Sequence, residues 1–235
     1  MSKETSLKLS ILVSLFLLII SSCAFAVEVI DIGAGARSIG LGRAYNAVTA
    51  DGYSLFANPA GLGGIDSLQM VSMYGEISGD VAYTMLGAVV PTKYGVFGIG
   101  YAGSKAGDIV VTTVEANGRI GPFSTFNYGN DLYLLSYGNR FKDKISYGLT
   151  LKSFRKGSSQ ITGGEGTGMN ADAGLTYDVD KRLRLGFMLK NLLAGSMGAI
   201  RWGNGYVEPQ PVEFKAGLLL KPRENLNFLF DHPHI

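Results

Sequence analysis

The sequence predicts an all-β protein: an antiparallel β-barrel of the outer-membrane type, with about eight to ten strands present and the wall partial or open. Three observations carry that expectation. An export-style leader is followed by no apolar run long enough for a membrane-spanning helix. From residue 66 onward, apolar and polar side chains alternate with a period of two. The connections alternate between tight turns and long stretches rich in Gly, Ser and Asn, as in barrels with short turns on one side of the membrane and long loops on the other.

Residues 1–26 read as a signal peptide. Lys3 and Lys8 form a basic start, Leu9 to Ile20 an apolar core, and Ala24-Phe25-Ala26 a small-x-small cleavage site, so the mature chain would begin at Val27. A lipoprotein reading competes, because Ile20-Ser21-Ser22-Cys23 resembles a lipobox and Cys23 would then carry lipid. Cys23 is the single cysteine, so cleavage after Ala26 leaves neither disulfides nor thiolate chemistry. The apolar core is too short for a retained transmembrane helix, which needs about 20 residues.

Residues 27–65 fit no regular period. Their most unusual stretch is DGYSLFANPAGLGG, residues 51–64, where Asn58-Pro59 and the glycines signal turns. Gly61, Gly63 and Gly64 are expected to let the chain bend in a confined space. Upstream, Val29 to Gly35 superficially resembles a dinucleotide-binding glycine turn, but Ser38 stands where the third glycine belongs and no βαβ unit follows.

Residues 66–235 supply the strands, expected near 66–75, 79–90, 94–103, 131–141, 145–152, 169–179, 183–190, 212–220 and 226–231. In 145–152, Ile145, Tyr147, Leu149 and Leu151 share one face, and Ser146, Gly148, Thr150 and Lys152 the other. Thr92-Lys93, Lys142-Asp143 and Asp180-Lys181 mark short turns, whereas 104–130, 155–167 and 194–210 are expected as long loops. In a barrel the apolar face points outward to lipid and the polar face inward. A soluble β-sandwich also alternates, but its strands are usually about five or six residues long. Its outward positions should also carry charge, where this chain has many Gly, Ser and Thr. Nine strands leave an unpaired edge, which is costly in lipid, so either the count is off by one or the chain is a C-terminally truncated product, the reading favoured here.

Composition agrees. Charged residues are 17%, and the 33 glycines in 235 residues are about twice the usual share of roughly 7%, scattered without a collagen period. That suits many turns and small inward-facing positions. A net charge of +2 points to no nucleic-acid partner. No catalytic set is legible, so no enzyme and no cofactor are expected. The two histidines, His232 and His234, sit at the extreme C-terminus, and no Cys/His cluster offers a metal site. Asp172 and Asp178 share a strand face, as a solvated lumen wall would allow.

The run Gly35-Ala36-Arg37-Ser38-Ile39-Gly40-Leu41-Gly42-Arg43-Ala44-Tyr45, with Ala47-Val48, Asp51 and Asn58-Pro59-Ala60-Gly61-Leu62, resembles the N-terminal signature of PorV/PorQ-like outer-membrane proteins. These belong with the wider FadL-like transporters. Arg184-Leu185-Gly186-Phe187 and Lys190-Asn191-Leu192 resemble a later strand and loop of the same family. The resemblance implies a barrel of about fourteen strands with an N-terminal plug folded inside, to which Arg37, Gly40, Gly42, Asp51, Asn58, Pro59, Ala60 and Gly61 would belong. It further implies transport of hydrophobic solutes, or type IX-like protein secretion, in the cell outer membrane. The partners would be outer-membrane lipid and either a hydrophobic solute or secretion components. The alternative from a different class is a soluble or lipid-anchored periplasmic β-sheet binding protein.

Overall fold

The computed structural model describes residues 29–77, 80–114, 118–223 and 225–232. The expectations for the signal peptide, Cys23 and His234 lie outside the described residues. The chain opens with short helical pieces: the 3₁₀ turn η1 (Val29–Ile32), the helix α1 (Gly35–Gly40), and the 3₁₀ turns η2 (Gly52–Phe56) and η3 (Pro59–Gly64). The wall follows as β1 (Gln69–Ile77), β2 (Val81–Thr92), β3 (Gly95–Val114), β4 (Ile120–Phe141), β5 (Ile145–Gly157), β6 (Glu165–Asp178) and β7 (Leu183–Lys190). The 3₁₀ turn η3′ (Gly195–Met197) and two short strands, β8 (Ile200–Trp202) and β9 (Val207–Glu208), interrupt the wall before β10 (Glu213–Arg223) and β11 (Leu226–His232).

Neighbouring wall strands pair antiparallel in the order β1-β2-β3-β4-β5-β6-β7-β10-β11, and the sheet does not close. This is the open outer-membrane-type wall that the alternation predicts. Its two faces are inverted relative to a soluble protein. On β5, Ser146, Thr150 and Lys152 are buried on the inward face while Tyr147, Leu149 and Leu151 face out. Ile99 is 63% exposed, whereas Lys152 is 1% exposed. In water such a surface would leave a large apolar area wet, whereas hydrocarbon around the wall would remove that cost, and the buried Lys152 is compensated by its ion pair with Asp172. No helix among the described residues is long and apolar enough to span a membrane.

One end of the wall has tight turns, including 93–94, 142–144 and 179–182. In the β4–β5 turn, Lys142 and Asp143 both have positive φ, the geometry that matches a tight hairpin to strand twist. At the other end the β3–β4, β5–β6 and β7–β10 connections are less loose than the sequence suggests. Residues 104–130 are not a loop: β3 and β4 continue as one hairpin, with register shifts after Ala106 and after Val111. Each shift slips the side-chain parity by which a strand is recognised, so the dyad pattern is hidden although the backbone stays paired. The 155–167 loop contracts to 158–164. The 194–210 loop folds back as β8 and β9, with β8 pairing to β6. There Ile200 is fully buried, and Trp202 packs on the cluster of inward apolar side chains.

Candidate functional site

The segment before β1 lies against the inward face of the wall, and its tightest seat is η3. Asn58 is fully buried. Its Oδ1 accepts from the Ala60 amide at 3.1 Å and caps η3, while Pro59 takes the first helical position, where a missing N–H costs nothing. Asn58 Nδ2 donates to the Asn46 carbonyl at 2.7 Å and to the Phe187 carbonyl of β7 at 3.2 Å. One side chain thus ends the turn and ties it to the wall.

What lets η3 sit so deep is a row of glycines on the wall. Gly138 of β4, Gly148 of β5 and Gly174 of β6 are direct cross-strand partners. A Cβ at Gly148 would lie 2.4 Å from the Pro59 carbonyl oxygen, and one at Gly174 would lie 1.9 Å from Asn58 Oδ1. The excess glycine of the sequence is therefore in part the imprint of the inner segment. Gly63 serves the same purpose from the other side, Gly61 lets η3 close on η2 within the inner segment, and here the expectation of bending is corrected. Neither has a positive φ. Instead a Cβ at Gly61 would strike Ser54 and one at Gly63 the Asn139 carbonyl. Close approach, not conformational freedom, requires them.

Arg37 and Asp51 lie apart from this seat. Arg37 pairs with Asp51 at 3.0 Å and is itself 60% exposed. Asp51 also accepts from the Tyr45 hydroxyl and caps η2 through the Tyr53 amide at 2.9 Å. Burial and the bond to Asp51 push the Tyr45 phenol above its ordinary pKa. Gly42 needs its identity for a φ of 64°, and Gly40 meets nothing within 4 Å of an added Cβ, so the structure gives no reason for glycine there. The motif thus divides into a wall-seated part, Asn58 to Ala60, with Gly61 packed on Ser54 of η2, and an internal brace, Arg37 with Asp51.

A second attachment carries charge, and sequence reasoning missed it. Asp31 of η1 meets Lys190 of β7 at 3.0 Å and Lys215 of β10 at 2.9 Å. Lys190 also lies 3.6 Å from Glu213. Burial works to raise the Asp31 pKa, but the two ammonium groups outweigh it and hold the carboxyl well below the usual range. Nearby, Lys152 pairs with Asp172 at 2.8 Å and donates to Asn191 Oδ1 at 2.7 Å, and the Asn191 amide returns a bond to Asp172 at 2.9 Å. Asp172 is therefore a buried, paired carboxylate rather than a solvated one. Asp178 sits elsewhere, bridging Arg140 and Arg184 at the tight-turn end. The available signal was parity: Lys152, Lys190 and Lys215 all occupy inward positions of their strands.

Between η1, α1 and the inward faces of β7, β10 and β11 lies a cavity of ≈ 550 Å³. Ile30, Ile32, Ile39 and Met188 give it apolar walls, and Asp31 with its lysines sits in one side. No group of three or more potential metal ligands occurs among the described residues.

No protein-family model and no curated protein matches the chain. Solved structures do. The toluene transporter TodX of Pseudomonas putida superposes with a TM-score of 0.60 at 17% identity, over 89% of this chain and 70% of TodX. Two TodX variants described as monoaromatic hydrocarbon channels also match. The deltaS2 mutant has a TM-score of 0.56 at 14% identity, covering 81% and 67% of the two chains. The deltaS2S3 mutant has 0.52 at 16%, covering 85% and 69%. At such identities the likeness is one of fold. It agrees with the broader half of the sequence resemblance, a FadL-like barrel, and does not single out the PorV/PorQ branch.

Proposed function

We propose that the chain forms the wall and internal plug of an outer-membrane channel for hydrophobic solutes. The observation that carries this reading is the inverted wall: an apolar exterior around an inward face that holds a folded segment and, beside it, a cavity of ≈ 550 Å³ with apolar walls. A soluble binding protein would have to keep the outward Ile99, Leu135, Leu149 and Leu151 in water, which disfavours that alternative. The TodX fold, in a protein whose structure is described as a toluene transporter, supports the same solute class. The reading includes no chemical step. A secretion role rests on the PorV/PorQ resemblance alone.

The test is fractionation followed by uptake. Cells producing the full chain should place it in the outer membrane, where it should migrate differently before and after heating. They should also take up labelled toluene or a labelled long-chain fatty acid faster than cells without it. A soluble periplasmic product with no heat shift overturns the membrane reading. A heat-modifiable outer-membrane protein that speeds neither solute overturns the transport reading.

A further inference from the structure

The outer surface of β3, β4 and β5 is ordered in four successive cross-strand rows. The first is Ile99–Leu135–Leu151, and above it comes Tyr101–Tyr133–Ser153. The third is Gly103–Asp131–Arg155 and the fourth Lys105–Gly129–Gly157. Outward side chains on a strand are spaced by about 7 Å. The surface thus passes from hydrocarbon-facing leucines to a tyrosine girdle, and one step later to charge. Tyrosine rings mark the boundary between lipid tails and headgroups. Tyr101 and Tyr133 lie with ring centroids 5.4 Å apart, so the two polar rows stand at the depth of outer-leaflet headgroups.

Those rows are hollow. Three of their six positions are glycine, of which Gly129 leaves open space, and a concavity of ≈ 690 Å³ opens over them toward the 158–164 turn. Gly103 lets the Tyr101 ring lean upward, since a Cβ there would lie 2.1 Å from the tyrosine oxygen. That oxygen donates to Asp131 at 2.7 Å. Arg155 is held by Glu165 at 2.9 Å, and Lys105 has no ion pair among the described residues. The rim therefore offers two cations and two carboxylates side by side. Cations suit a phosphate, and carboxylates accept from hydroxyls.

We propose that this outer-wall hollow is a binding site for the sugar-phosphate headgroup of an outer-leaflet glycolipid. Lys105 and Arg155 take the phosphate, Asp131 and Glu165 take sugar hydroxyls, and the acyl chains lie down the Ile99–Leu135–Leu151 row. The site is on the lipid side of the wall, distinct from the inner cavity. It rests on the membrane reading but not on transport.

The test uses the purified full chain in detergent micelles, titrated with lipid A, a bisphosphorylated and acylated glucosamine disaccharide, and read by native mass spectrometry. One complex is expected, weakened about tenfold or more in the Lys105→Ala/Arg155→Ala double variant, the size of losing one charge-assisted contact. The dephosphorylated lipid should weaken binding to a similar extent. Gly129→Leu, which fills the hollow where a Cβ has only a Gly157 oxygen at 3.9 Å, should abolish binding while the protein keeps its heat shift. Equal binding by wild type and double variant overturns the proposal. Equal binding of phosphatidylglycerol overturns the sugar component, and equal binding of free glucosamine 1-phosphate overturns the lipid assignment. Absence of any heat shift in the wild type instead removes the membrane reading on which the proposal stands.

Discussion

The inner segment is held to the wall at two places that work by opposite means. Along η3 the attachment is Asn58, Pro59, Ala60, Leu62 and Gly63 pressed on the glycines of β4, β5 and β6, without net charge. At Asp31 it is a carboxylate between two lysines of β7 and β10. Contact at van der Waals distance tolerates no added atom, because repulsion rises within tenths of an ångström. An ion pair falls off slowly with distance and depends on pH and salt. The first is thus a fixed anchor, and the second is the end of the segment that conditions can loosen.

The largest effect should come from filling the anchor. Gly174→Val places a branched side chain where Asn58 Oδ1 already lies 1.9 Å from an added Cβ. It should cost about 3 kcal/mol or more, read as a lower urea midpoint of the heat-modifiable form. An unchanged midpoint would show that η3 yields readily and would erase the contrast between the two attachments.

Asp31→Asn should cost less, about 1–3 kcal/mol, because Lys190 keeps Glu213 as a neighbour. It should also change the acid response. Since the folded Asp31 pKa is lowered, the stability it contributes is complete above the ordinary carboxyl value of 3.8 and is lost as pH falls through the lower folded value. Wild type should therefore lose more stability than Asp31→Asn on acidification below about pH 4. Parallel curves would show that the pair contributes nothing. The smallest effect should come from Arg37→Ala, whose exposed pair with Asp51 is worth within about 0.5 kcal/mol in urea unfolding. A loss as large as that of Gly174→Val would reveal a third attachment.

The exterior of the wall was legible wherever the dyad pattern ran unbroken. β5 and β7 read directly from Ile145 to Leu151 and from Leu183 to Leu189, because one face is apolar and outward and the other packs on the interior. The β3–β4 hairpin was not legible beyond Ala106, because its irregular register breaks the period while preserving pairing. In the inner segment, Asn58-Pro59 could be read as a turn, but its partners Phe187 and Asn46 are remote in sequence and only the fold brings them there. Asp31 had no local signal at all, since Lys190 and Lys215 are more than 150 positions away.

By itself the sequence determined the class of the wall, its inward and outward faces and the placement of its tight turns, since these follow from side-chain period and local backbone preference. Tertiary structure alone decided which glycines face η3, which lysines hold Asp31, and that Gly129 and Gly157 fall side by side. Those facts depend on register between strands distant in sequence, and register is fixed by the whole sheet rather than by any one strand.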